Sequence, residues 1–170
     1  MSPRIRPARA EDAAECADIL NAWIDATEWM PRCHTRQSVL EHYRDQIIPK
    51  RTVWIAEAES SVIGFLALGQ SGLVTDVYIA HRARRRGVGH QLLITAKEAR
   101  PSGLSLWAFQ QNRPARAFYA REGFIETDQT DGDNEEGLPD VYLEWSPKVI
   151  TAATHHINSR GRILDKHTAR

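Results

Sequence analysis

The period of hydrophobic and polar positions changes along the chain, and each change marks an element. Residues 4–9, RIRPAR, read as a short first strand, after which Ala13, Cys16, Ala17, Leu20 and Ile24 recur at helical spacing on one face. Trp29-Met30-Pro31 breaks that helix. Thr35 is placed to cap a second one carrying Val39, Tyr43 and Ile47, which Pro49 is expected to end. Two β-branched and aromatic runs follow, TVWIAEA (52–58) and VIGFLALG (62–69), joined by a hairpin signature at Glu59-Ser60-Ser61. LVTDVYIA (73–80) adds a third sequential antiparallel strand. Val88, Leu92, Leu93, Ala96 and Ala99 then form one stripe, so a helix starts at the Gly87-Val88-Gly89 turn and stops before Pro101. LSLWAFQ (104–110) reads as a strand, RPARAFYARE (113–122) as a helix closed by Gly123, and FIETDQT (124–130) and VYLEW (141–145) as the last strands. The predicted order is β-α-α-β-β-β-α-β-α-β-β.

Composition narrows this little. A chain of 170 residues is about one domain long and buries roughly two thirds of its unfolded surface. With 42% hydrophobic and 26% charged residues it reads as an ordinary folded domain. We place that domain at residues 1–147. Residues 148–170 are polar and basic with weak periodicity, and read as a tail that is solvated or packs on a neighbour. His155-His156 in that tail lacks a third ligand nearby in sequence, and no metal is expected. Cys16 and Cys33 form neither a disulfide framework nor a metal pattern and read as reduced thiols. No apolar run approaches the roughly 18 residues of a membrane span, and the first residues lead into no signal-peptide core, so a cytoplasmic location is expected.

Formal net charge is zero but unevenly distributed. Residues 126–140 hold seven acids and no base, so local patches guide any ligand. The densest positive patch is Arg82, Arg84, Arg85 and Arg86, followed at once by Gly87-Val88-Gly89. A strand running into a turn of small residues that opens a helix bares backbone N–H groups at the positive end of the helix dipole, and this is an anion site. A P-loop would close with Gly-Lys-Ser/Thr, where this chain has Gly89-His90-Gln91. A dinucleotide fingerprint needs a third glycine where Leu92 stands, and an acid after the next strand where Trp107-Ala108-Phe109 stands. A nucleic-acid patch is not supported, because the arginines occupy one short turn without interleaved aromatics.

The pattern that fits is Gln/Arg-x-x-Gly-x-Gly/Ala between strand and helix, matched by Arg84-Arg85-Arg86-Gly87-Val88-Gly89. In register with it, Asn112, Ala115, Phe118-Tyr119 and Gly123-Phe124 match a second segment, N…A…FY…GF. On these two motifs and the element order, residues 4 to about 146 resemble the GNAT superfamily of acyl-CoA-dependent N-acyltransferases. The resemblance implies an α+β, three-layer fold with a mixed, mostly antiparallel central sheet of six to seven strands flanked by about four helices and splayed between strands four and five. It also implies acetyl-CoA as the donor and an amine as the acceptor.

Residue roles follow from the same resemblance. The backbone of Val77, Tyr78 and Ile79 is expected alongside the pantetheine arm, with one N–H acting as an oxyanion donor, an effect worth about 3 kcal/mol. Arg84, Arg85, Arg86, Gly87, Val88, Gly89 and His90 map onto the pyrophosphate loop, His90 through its backbone N–H. Arg82 lies outside the motif, with a solvated or 3′-phosphate-steering role. Asn112 caps its helix, holds pantetheine, or does both. Tyr119 aligns with the tyrosine that protonates the departing thiolate.

The chain departs from the pattern at the base. Some relatives carry a glutamate on the strand before Asn112, and Leu104–Phe109 here has no acid. Asp76 is the first candidate, with Glu57 and His34 behind it. Trp29, Met30 and Tyr142 are candidates for an apolar wall at the acceptor, where the acidic loop either favours a cationic amine or is simply solvated. Neither cysteine lies in a recognised motif, so transfer is expected to be direct, in a ternary complex. A second reading keeps the acetyl-CoA site without turnover, as a sensor or interaction module, supported by the missing base. Homodimers are common among such proteins, and no interface is legible here.

Overall fold

The period-two runs in the middle of the chain become an antiparallel meander in the computed structural model, which describes residues 2–147. Strands β1 (Arg4–Pro7), β2 (Thr52–Ala58), β3 (Ser61–Leu68) and β4 (Val74–Ile79) pair in that order. Ala58 pairs with Ser61, so the β2–β3 turn is only Glu59-Ser60, both in the left-handed region at φ 51° and 61°. This is the primed turn whose twist suits a two-residue hairpin, formed here without glycine. Strands β5 (Leu104–Phe109), β6 (Ile125–Thr130) and β7 (Asp140–Trp145) form a second antiparallel sheet in the order β5-β7-β6.

Helices cover both faces. α1 (Ala13–Ala26) and α2 (Arg36–His42) lie on one, where Cys16, Val39, Tyr43 and Ile47 pack with Ile55 and Phe65. On the other, α4 (Val88–Ala99) places Val88, Leu92, Leu93 and Ala96 against Leu66, Leu104, Leu106 and Leu143, and α5 (Arg113–Arg121) adds Tyr119. Thr35 caps α2, its Oγ1 accepting from the Ser38 N–H at 3.1 Å.

Pro49 does not end the second helix. A π turn at Tyr43–Ile47, in which the Ile48 N–H bonds the Tyr43 carbonyl, leads into the short α3 (Ile48–Lys50) with Pro49 in its first turn. A proline N–H is not needed there. The widened turn buries Tyr43 and Ile47 together.

The two sheets meet at one point, a parallel bridge between Leu73 and Ser105. Just beyond it β4 carries a bulge: Leu68 pairs with Val74 and Ala67 with Asp76, leaving Thr75 over. A bulge bends its strand and increases the twist. β4 and β5 therefore share a base and separate above it, which is the expected splay between strands four and five. At the opposite edge, Arg6 forms a bidentate pair with Asp12 at 2.8 and 2.9 Å and bonds Glu57 through Nε at 2.7 Å. Among the described residues no helix is long and apolar enough to cross a membrane. The predicted tail, residues 148–170 with His155-His156, lies outside the described residues.

Candidate active site

The gap between β4 and β5 is a cleft of about 1110 Å³, walled by Val74–Ile79 on one side and Leu106–Phe109 on the other. β4 is paired to β3 along its inner edge, while its outer edge, beyond Leu73, has no strand partner among the described residues. Its backbone polar groups are thus available to an extended ligand lying in the cleft.

One end of the cleft is cationic. Ala80–Gly87 turns back into α4, with Arg85 and Gly87 in the left-handed region at φ 61° and 79°. The first bond of α4 runs from the Gln91 N–H to the Gly87 carbonyl at 3.0 Å, so the N–H groups of Val88, Gly89 and His90 stand ahead of the helical ladder. Arg84 and Arg85 line this end, and Arg84 Nε donates to the Ile79 carbonyl at 3.2 Å. Such a combination of bare N–H groups and guanidinium is built for a phosphate-like anion.

Several predicted residues stand elsewhere or act otherwise. Arg86 is exposed and does not line the cleft. Arg82 reaches back to donate to the Val62 carbonyl at 3.4 Å. The His90 imidazole pairs with the Glu122 carboxylate at 2.8 Å, tying α4 to α5 and leaving only its backbone N–H for the turn. The two glycines differ in cause. A Cβ on Gly87 would meet nothing within 4 Å, so its need is conformational, whereas one on Gly89 would lie 3.0 Å from Phe118 Cζ. Asn112 lines the cleft and also caps α5, accepting from the Ala115 N–H at 3.3 Å.

Deeper in, Tyr119 of α5 is 9% exposed and lines the cleft. Burial, and after it the negative charge of Asp76, push its phenol pKa well above the ordinary value, and Tyr78 is raised chiefly by the same two causes. Asp76 also forms part of the wall. Tyr43 donates to its Oδ1 at 2.7 Å and Thr75 to its Oδ2 at 2.7 Å, with Arg51 3.5 Å from Oδ2. The other candidate bases are engaged away from the cleft: Glu57 with Arg6, and His34 with Glu135 at 2.6 Å.

The far end is aromatic and acidic. Trp23 of α1 contacts Trp29 and Tyr78 at ring separations of 5.9 and 5.6 Å, and Trp29 in turn meets Phe109 of β5 at 5.8 Å. These rings bridge the two sheets across the mouth of the splay. Met30 and Tyr142 do not line the cleft, and Tyr142 instead packs at a tilt against Trp107, with ring centroids 4.9 Å apart. A second cleft of about 510 Å³ adjoins, sharing Trp107, Ala108 and Phe109 and adding Asp133, Glu136 and Asp140. Sequence reasoning passed over Trp23, Phe109, Tyr43 and Arg51. Their spacing marks them as core or surface positions, and only the fold brings Trp23 and Phe109 to the cleft and Tyr43 and Arg51 to Asp76 in its wall.

The comparisons agree with this geometry. Residues 49–126 match the family model of the acetyltransferase (GNAT) domain. The peptidyl-lysine N-acetyltransferase YiaC of Escherichia coli (strain K12) is 26% identical over 140 residues, 81% of this chain and 94% of that protein. The solution structure of apo YjaB from Escherichia coli superposes with a TM-score of 0.70 at 26% identity, covering 85% of this chain and 98% of the other. The PaiA N-acetyltransferase of Thermoplasma acidophilum, solved with coenzyme A, shares the fold with a TM-score of 0.67 at 20% identity over 86% and 100% of the two chains. In this chain a sheet split at one bridge leads into a turn of bare N–H groups and arginines at the start of α4. By this match, these relatives and its fold, the chain is similar to the GNAT N-acetyltransferases.

Proposed function

We propose that the chain transfers an acetyl group from acetyl-CoA directly to a primary amine, in a ternary complex. The observation that carries this reading is the polarity of two adjoining clefts, which run from the N–H groups and arginines of the α4 turn to the aromatic and acidic end. An anionic donor suits one end and a cationic amine the other. Asp133 and Glu136 have no ion-pair partner among the described residues, and exposed Trp107 beside them suits an alkylammonium.

In this reading the diphosphate sits on the N–H groups of Val88, Gly89 and His90, with Arg84 and Arg85 alongside and Arg86 adding charge from outside. Pantetheine lies along Val77, Tyr78 and Ile79, near Asn112. The acceptor enters past Trp29, with Met30 and Tyr142 behind the wall that Trp29 and Trp107 form. Asp76 takes one proton from the ammonium, and the freed nitrogen attacks the thioester carbon. The C–S bond breaks, the second N–H proton ends on sulfur, and Tyr119 donates a hydrogen bond to the developing thiolate. Because its phenol lies above the ordinary value near 10 and a thiol ionises near 8.5, Tyr119 keeps its own proton in this exchange.

Direct transfer is supported by the cysteines. Burial pushes the Cys16 thiol up, and Cys33 is raised by desolvation and by Glu136 and Glu135, so neither is poised as a thiolate nucleophile. The deciding experiment follows thiol release from acetyl-CoA with alkylamines, polyamines, amino acids and lysine peptides. Turnover with at least one amine is expected. Failure to bind acetyl-CoA refutes the reading, and binding without turnover makes the chain a sensor.

A further inference from the structure

The carboxylate of Asp76 is held by more groups than a strand residue beside a cleft requires. Its Oδ1 accepts from the Tyr43 hydroxyl at 2.7 Å, and its Oδ2 accepts from the Thr75 hydroxyl at 2.7 Å with an Arg51 nitrogen at 3.5 Å. Thr75 Oγ1 accepts in turn from Arg51 at 2.7 Å. An ionised carboxylate offers about four lone-pair sites. These contacts occupy two on Oδ2 and one on Oδ1, so the site still free is on Oδ1, in a residue that walls the cleft and is 13% exposed.

The holding groups are themselves fixed. Tyr43 is 1% exposed, meets Phe65 edge-on at 5.3 Å, and lies in the π turn that widens the end of α2. Burial, with the charge of Asp76 second, pushes its phenol far above the ordinary value, so Tyr43 stays a donor. The Arg51 N–H bonds the Ile47 carbonyl at 3.0 Å, which anchors it between α3 and β2. Thr75 is the bulged residue of β4. The titratable and charged groups facing Asp76 are Tyr43, Arg51, Tyr78 on its own strand, Cys16 on α1 and Tyr119 on α5. Arg51 is the one cation paired with it among the described residues.

We propose that Tyr43, Thr75 and Arg51 are positioning residues that fix the Asp76 carboxylate with one Oδ1 lone pair directed to the acceptor nitrogen. The inference rests on Asp76 as the base of the transfer. One proton passes from the ammonium nitrogen to Oδ1, leaving a lone pair on nitrogen and a carboxylic acid at Asp76, which returns the proton to solvent after product leaves. The bulge therefore serves two ends: it opens the splay, and it places the Thr75 hydroxyl beside the carboxylate.

The test measures thiol release from acetyl-CoA with butylamine, spermidine and a lysine peptide at pH 7 and pH 9, for wild type and for Asp76→Asn, Tyr43→Phe, Arg51→Met and Arg51→Lys. At pH 7, kcat should fall on the order of 100-fold in Asp76→Asn and roughly tenfold in Tyr43→Phe and Arg51→Met, with KM for acetyl-CoA unchanged. Arg51→Lys should retain more activity than Arg51→Met. Raising the pH should recover most of the Tyr43→Phe and Arg51→Met loss, because solvent supplies roughly tenfold more free amine per pH unit below the amine pKa. An equal deficit at both pH values marks a structural defect and overturns the proposal. Since Arg51 is partly exposed, Arg51→Met carries the test even if Tyr43→Phe disturbs the core. Full activity in Asp76→Asn refutes the base assignment. Loss in Asp76→Asn with normal Tyr43→Phe and Arg51→Met refutes the positioning role alone. Absence of turnover with every amine refutes the transferase reading itself.

Discussion

The ring of Phe118 occupies the space into which a side chain at position 89 would project, its Cζ lying 3.0 Å from where a Cβ on Gly89 would stand. The glycine of the α4 turn is thus tied to α5 as well as to whatever approaches the turn from the cleft. Gly89→Ala should destabilise the fold by about 1–3 kcal/mol through overpacking and displace α5. Pairing it with Phe118→Leu should restore most of that stability. Urea unfolding of the two variants checks this, and a double variant no more stable than Gly89→Ala would place the constraint elsewhere.

At Gly87 the constraint is conformational. With φ at 79° and free space around its Cβ position, Gly87→Ala should cost about 1–2 kcal/mol of local strain and weaken acetyl-CoA binding. Arg85 adopts a similar φ of 61° with a side chain. In Arg85→Gly, relief of strain and the extra chain entropy of glycine should offset, leaving stability within about 1 kcal/mol of wild type. Acetyl-CoA affinity should fall and depend less on salt, measurable by calorimetry at two ionic strengths.

Tyr119→Phe should lower kcat on the order of 100-fold while changing KM for acetyl-CoA little. Since burial and the Asp76 charge raise the phenol above its ordinary pKa near 10, the proton stays on Tyr119 throughout the assay range. A kcat profile taken to about pH 9.5 should therefore show no alkaline fall from this group. Equal losses in kcat and in acetyl-CoA affinity would count against the donor role.

The buried Arg6–Asp12–Glu57 cluster sets an acid limit on stability. Burial alone would raise the Asp12 carboxyl, but the Arg6 hydrogen bond, the Arg9 N–H and their charges outweigh it and hold the group below its ordinary value. A depressed folded pKa gives stability that is complete above the unfolded carboxylate value near 4 and is lost as pH falls through the lower, folded one. Urea midpoints should thus be flat near neutrality and drop below about pH 4. Arg6→Met strands a carboxylate that is only 5% exposed, and should cost about 3–5 kcal/mol at pH 7.

Element order was legible because its signals are local. The strand 52–58 lies where its β-branched run lies, α4 begins at the turn glycines, and Asn112 caps α5, each decided by neighbours within a few positions. The π turn was not legible, since Pro49 reads as a stop until the burial of Tyr43 and Ile47 is seen to need the extra residue. The bulge at Thr75 carries no composition signal, because its cause is the register of β3 against β4.

By itself, the sequence determined the succession of strands and helices and the turn from β4 into α4, since period, capping and glycine placement act over one or two turns of chain. Only the tertiary structure decided which charges face the cleft. It turned the His90 imidazole to Glu122, drew Arg82 to Val62, engaged Glu57 with Arg6, and brought Tyr43 and Arg51 to Asp76 from other elements. It also set Trp29 against Phe109 at the mouth of the splay. These pairings join residues far apart in sequence, and they arise from how two sheets sharing a single bridge diverge and pack against their helices, which no local pattern encodes.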